Sequence, residues 1–101
     1  MKESELQRMI VQVLRAHGMV AWLTHDSRHP PVQRGISDIN AILPGGRFLA
    51  IECKQEEYSK AHKERRELQD AWLDEVRRGG GVACVAQSLD DILALKPWKA
   101  E

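Results

Sequence analysis

The chain lacks most of the features that tie a protein to a membrane, an oxidising compartment or a polyanion. Among its 101 residues no apolar run reaches membrane-spanning length, and the opening Met1-Lys2-Glu3-Ser4-Glu5 is too acidic and too short for a secretion signal. The expectation is a soluble, cytoplasmic protein. Cysteine is scarce: Cys53 and Cys84 stand far apart with no Cys-x-x-Cys pair, which favours buried free thiols in a reducing compartment over a disulfide or a zinc site. Net charge is absent as well, 15 basic residues against 15 acidic ones, so there is no global field to draw in nucleic acid. Any such attraction must come from local clustering. Repeats and low-complexity segments are missing, and a chain of this length buries about two thirds of its unfolded surface, enough for one core. Residues 1–101 are therefore expected to form a single domain.

What is present concentrates in one hairpin. The stretch Gly35-Ile36-Ser37-Asp38-Ile39-Asn40-Ala41-Ile42-Leu43 runs into Pro44-Gly45-Gly46 and returns as Arg47-Phe48-Leu49-Ala50-Ile51-Glu52-Cys53-Lys54, two strands around a turn. With Pro44 to Gly46 as the loop, Leu43 faces Arg47 and Asp38 falls opposite Glu52. Opposed residues have Cβ atoms roughly 4.5 to 5.5 Å apart. Two carboxylates that close repel and raise one pKa unless a cation lies between them, so the pair reads as a cradle for a divalent metal. Lys54, two residues beyond Glu52, points to the same face. Hard oxygen ligands for Mg²⁺ or Mn²⁺ beside a lysine that steers or deprotonates a water are what a metal-dependent phosphodiesterase needs.

The rest of the chain supplies a scaffold. Leu6, Met9, Ile10, Val13 and Leu14 recur at helical spacing between Ser4 and His17, with Gly18 placed to end the helix. Met19 to Thr24 reads as a first strand, and His25 to Arg34, with Pro30-Pro31, as a loop. Both faces of the hairpin are largely apolar: Ile39, Ala41, Leu43, Leu49 and Ile51 on one, Ile36, Ile42, Phe48 and Ala50 on the other. Its strands should therefore be central and covered on two sides. After a polar loop from Gln55 to Ser59, a second helix is expected from about Ala61 to Arg78, with Leu68, Ala71, Trp72 and Val76 facing inward. Gly79-Gly80-Gly81 follows a helix and precedes a strand, the reverse of the order that aims helix amides at a phosphate, and reads as a cap and turn. Val82 to Ala86 is a fourth strand, Ser88-Leu89-Asp90-Asp91 opens a short helix through about Ala94, and Pro97 and Trp98 fall in a tail. The order is αβββαβα, an α/β fold.

The sequence of motifs Arg34-Gly35-Ile36-Ser37-Asp38, Leu43-Pro44-Gly45-Gly46-Arg47, Ile51-Glu52-Cys53-Lys54 and Leu68-Gln69-Asp70-Ala71-Trp72 resembles the VRR-NUC family of the PD-(D/E)xK nuclease superfamily, in its compact stand-alone phage and bacterial form. The likeness spans nearly the whole chain, with Ser37 standing where the family usually has proline. It implies a restriction-endonuclease-like core with a mixed sheet flanked by helices. It also implies a DNA endonuclease using Mg²⁺ or Mn²⁺ held by Asp38, Glu52 and the main-chain carbonyl of Cys53. An acid from the first helix would complete the site, Glu5 by counting back from Gly18, with Glu3 the fallback. Without the resemblance, Glu5 is simply a carboxylate meeting the helix dipole. Gln69 would help position water or phosphate, though alone it is an unremarkable helix residue. Trp72 shares a stripe with Leu68 and Val76 and reads as core rather than as a base-stacking platform.

Local basic clusters flank the carboxylates. Arg28 and Arg34 precede them, and Lys60, Lys63, Arg65 and Arg66 follow, so these are the candidate DNA contacts, against the plainer reading of a solvated helix face and loop charges. His25 and His29 around Asp26 lack further ligands for zinc. A domain this small has little surface to read sequence, which points to branched DNA such as forks, flaps or four-way junctions. Stand-alone members of the resembled family look like homodimers, and a two-fold dimer would match a four-way junction, as in phage recombination or DNA repair. Two rivals stand beside this. One is a DNA-binding or protein-interaction module with an inactive site, which zero net charge favours and the complete acid, acid, lysine set opposes. The other is a sequence-specific restriction enzyme, which the absence of a recognition insertion opposes.

Overall fold

Helix α1 (Glu3–Ala16) forms because Leu6, Ile10 and Leu14 recur every four residues, and their burial with Val11 anchors it to the sheet. Fully burying each such side chain contributes roughly 1.5 to 3 kcal/mol. Gly18, at φ +83°, turns the chain into β1 (Val20–Leu23). The hairpin strands are β2 (Ile39–Ile42) and β3 (Phe48–Cys53), followed by α2 (Lys60–Arg78), β4 (Val82–Ala86), α3 (Leu89–Leu95) and a 3-10 turn at Pro97–Lys99. The computed structural model describes residues 2–24, 36–54 and 60–99, with side chains in the last segment from residue 66 onward. The order αβββαβα is the expected one.

The four strands lie in the order β1-β2-β3-β4, antiparallel except for the parallel β3-β4 pair that α2 connects. The hairpin register pairs Ile39 with Ile51 and Ile42 with Phe48, as the turn predicts. Gly45 and Gly46 both sit near φ +95°, a region open to glycine without strain, and the turn closes through the Leu43 N–H donating to the Arg47 carbonyl at 2.8 Å. One sheet face, carrying Ile39, Ala41, Leu43, Leu49 and Ile51, is buried with Leu6, Ile10 and Leu14 of α1 and Ile92 of α3. The other buries Ala50 under Leu73 and Val76 of α2.

Four expectations need correction. On α2 the inward residues are Gln69, Trp72, Leu73 and Val76, while Leu68 is 48% exposed and Ala71 is exposed, so the buried stripe is rotated by one residue from the purely apolar one. On α1, Val11 is buried whereas Met9 and Val13 are half-buried. The hairpin is not covered throughout: α2 packs on β3 and β4, leaving Val20, Trp22 and Ile42 exposed on β1 and β2. Pro97 and Trp98 are not a loose tail. Pro97 is buried, and Trp98 stacks on His17 with ring centroids 3.7 Å apart.

The glycine run caps α2, with the Gly81 N–H donating to the Val76 carbonyl at 2.9 Å. A Cβ on Gly81 would meet Val76 Cγ1 at 2.7 Å and the Phe48 carbonyl oxygen at 2.9 Å. Gly81→Ala is expected to lower stability by roughly 1 to 3 kcal/mol through this overpacking. An unchanged urea midpoint would show that the helix-to-strand turn is loosely held.

Candidate active site

The hairpin register carries one step past its last paired residues to set Asp38 against Glu52, at the end of the sheet opposite the turn. Asp38 is gripped by backbone: the Thr24 N–H donates to its carbonyl at 2.9 Å and the Cys53 N–H donates to its Oδ2 at 2.9 Å. Glu52 is 2% exposed. Its Oε1 accepts a hydrogen bond from Gln69 Nε2 at 2.7 Å, which is why α2 turns Gln69 inward at the expense of Leu68. Among the described residues, neither its Oε2 nor the buried Oε1 of Gln69 has a hydrogen-bond donor.

Burial, then the hydrogen bond to Asp38 and the Asp38 charge, push the Glu52 carboxyl up to about 9, with Lys54 pulling it down and Glu3 adding to the rise. Burial and the neighbouring Asp38 charge thus favour the neutral form of Glu52 while no cation is bound. Burial likewise drives the Cys53 thiol upward, so both it and Cys84 are free, un-ionised thiols. In an extended strand a residue's N–H and C=O point to the same edge, so the Cys53 carbonyl is directed to the Asp38 side, while the Lys54 N–H bonds the Ala86 carbonyl on the other side at 3.0 Å.

These residues fit a hard divalent cation. Among the described residues no three His, Cys, Asp or Glu side chains cluster tightly enough to enclose an ion by themselves. Mg²⁺, however, is ordinarily bound by one or two carboxylates, waters and substrate phosphate rather than by an all-protein cage. The unpartnered Oε2 of Glu52 is an acceptor buried at a cost that a cation would relieve.

Of the residues singled out in the sequence, Asp38, Glu52, Cys53, Lys54 and Gln69 come together here. The helix acid whose charge reaches Glu52 and Cys53 is Glu3, whereas Glu5 is exposed. Glu3 continues the Leu6, Ile10, Leu14 stripe, and two residues further on the helix has turned by about 200°. Arg28 and Arg34, with His25, Asp26 and His29, lie outside the described residues, as do the side chains of Lys60, Lys63 and Arg65 in α2. Arg66 is exposed on α2. Sequence reasoning missed Thr24, Asn40 and the role of Ser37, which form a hydrogen-bonded polar cluster beside Asp38, with Ser37 and Asn40 buried and Thr24 half-buried. The available signal was Asn40 inside an otherwise apolar strand, with Thr24 and Ser37 polar near strand ends.

The architecture is that of a restriction-endonuclease-like α/β core with its acidic pair at the open end of the central hairpin. A solved structure described as a VRR_NUC domain shares this fold, with a TM-score of 0.70, 20% sequence identity and 97% of each chain covered. No family model matches the chain, and no curated protein does. No described helix is long and apolar enough to cross a membrane.

The Glu52 shift has a measurable consequence for the metal-free protein. The unfolded chain releases the Glu52 proton near 4.5 and the folded one near 9, so this group's contribution is full below about pH 4.5 and is lost as pH rises toward 9. The slope is at most about 1.4 kcal/mol per pH unit. Urea unfolding in EDTA should show wild type losing stability relative to Glu52→Gln between pH 5 and 8. Parallel pH profiles would mean that Glu52 is ionised in the folded state.

Proposed function

We propose that this chain is a Mg²⁺- or Mn²⁺-dependent deoxyribonuclease, an endonuclease that hydrolyses phosphodiester bonds in branched DNA. The observation that carries the reading is the opposed Asp38 and Glu52 pair, with Glu52 buried, one of its oxygens unpartnered, and Lys54 two residues away. The shared fold with a VRR_NUC domain supports it. Asp38, Glu52 and the Cys53 carbonyl would hold the ion, with Glu3 nearer to the role than Glu5. When bound, the ion would supply Lewis-acid polarisation of the scissile phosphate and a more acidic water.

The chain's own groups supply the rest. The Lys54 ammonium offsets charge on the phosphate and orients the attacking water. Gln69, held to Glu52 through its amide N–H, leaves its carbonyl oxygen to accept a hydrogen bond from that water. The Asp38 carboxylate accepts a main-chain hydrogen bond from the Cys53 N–H. By likeness to the family, cleavage would leave 5′-phosphates and 3′-hydroxyls. The exposed apolar side of β1 and β2, Val20, Trp22 and Ile42, supports self-association into a homodimer that would pair two incisions. Cytoplasmic action on recombination or repair intermediates follows from this reading, and elution at monomer mass across a concentration series would remove the basis for paired cuts.

Cleavage of a labelled panel of duplex, single strand, 5′ flap, fork and four-way junction, with Mg²⁺, Mn²⁺ or EDTA, tests the activity. Metal-dependent cutting is expected, and Lys54→Ala should slow it roughly a thousandfold, a barrier change of about 4 kcal/mol. A folded Lys54→Ala protein cutting within a few fold of wild type would sink the assignment. No cutting of any substrate would favour a binding module.

A further inference from the structure

Beside Asp38 runs a partly buried chain of hydrogen bonds whose direction is set at its Thr24 end, where the Ser37 carbonyl can only accept. The Trp72 indole N–H, which can only donate, donates to Ser37 Oγ at 3.1 Å. Ser37 Oγ, having accepted, donates to Asn40 Oδ1 at 2.9 Å. The Thr24 hydroxyl donates to the Ser37 carbonyl and so can only accept from Asn40, which fixes the Asn40 amide with Nδ2 on Thr24 Oγ1 and Oδ1 on Ser37. Ser37 is 0% exposed and Asn40 is 5% exposed, so water does not substitute for the two central members, while Thr24 and Trp72 are half-buried.

The chain ends on the peptide that precedes Asp38. Thr24 holds the peptides on both sides of that residue, its hydroxyl on the Ser37 carbonyl and its N–H on the Asp38 carbonyl. Trp72 lies one turn along α2 from Gln69, which bonds Glu52. One face of one helix thus touches both carboxylate-bearing strands, Glu52 directly and Asp38 through the chain.

We infer that the Trp72, Ser37, Asn40 and Thr24 chain sets the position of Asp38 for the metal, making Thr24 and Trp72 positioning residues that no ligand touches. This rests on the metal-site reading above. Thr24→Val keeps the shape and removes the hydroxyl, Thr24→Ser keeps the hydroxyl, and Trp72→Phe removes the sole indole donor while keeping an aromatic body.

The test is Mn²⁺ binding to the full chain without DNA, read as free Mn²⁺ by electron paramagnetic resonance, with circular dichroism to verify folding. Wild type should bind and Asp38→Asn should not. Thr24→Val and Trp72→Phe should each weaken binding about 10- to 100-fold, the usual effect of losing a group that orients a ligand, and Thr24→Ser should bind as wild type. Wild-type affinity in both Thr24→Val and Trp72→Phe would overturn the inference while leaving the metal site intact. Absence of binding by wild type would overturn the metal site and the inference with it. If Thr24→Val does not fold, Trp72→Phe decides by the same criterion.

Discussion

Two carboxylates set against each other in an apolar setting are the constraint around which the structure is organised. Asp38 and Glu52 face one another because a glycine turn leaves the hairpin one register, and Glu52 sits at 2% exposure. Ionising both there without a counter-ion is unfavourable, and the balance favours the protonated form of Glu52. The stability given up by burying Glu52 is the sort of local conflict that functional sites retain and cores avoid.

The scaffold explains how that conflict is held in place. β3 is buried along nearly its whole length, between α1 on one face and α2 on the other, so its end cannot move to relieve the repulsion. α2 is turned by its polar contacts rather than by its most apolar stripe. Gln69 reaches Glu52 and Trp72 reaches Ser37, while Leu68 is left in solvent. Those bonds tie the crossover helix to both strands of the hairpin at the site. The exposed side of β1 and β2 is where α2 does not reach.

Where the chain chemistry admits one answer, the sequence could be read to the residue. The Pro44-Gly45-Gly46 turn determines the pairing, and the pairing determines which acid meets which, so the opposition of Asp38 and Glu52 was legible before any coordinates. Periodicity alone misreads α2, because it ranks Leu68 above Gln69 and carries no information about a buried acceptor waiting on the sheet. The sequence leaves the choice between Glu5 and Glu3 open for a related reason. Both fit the first turn of α1, and only the phase of Leu6, Ile10 and Leu14 separates them. Thr24 meets Ser37 and Asn40 only after two segments fold together, so no local pattern could group all three. Trp98 seats against His17 for the same reason, a long-range contact that a terminal position does not suggest.

The central claim is that Glu52 waits as a neutral acid and gives up its proton when a cation binds. Calorimetric titration of the protein with Mn²⁺ at pH 7, repeated in buffers of different ionisation enthalpy, counts protons released per ion bound. The account predicts a release close to one, falling to near zero in Glu52→Gln if that variant still binds. Binding by wild type with no proton release would contradict it, since Glu52 would then already be ionised and the buried pair would not be the switch that the metal closes.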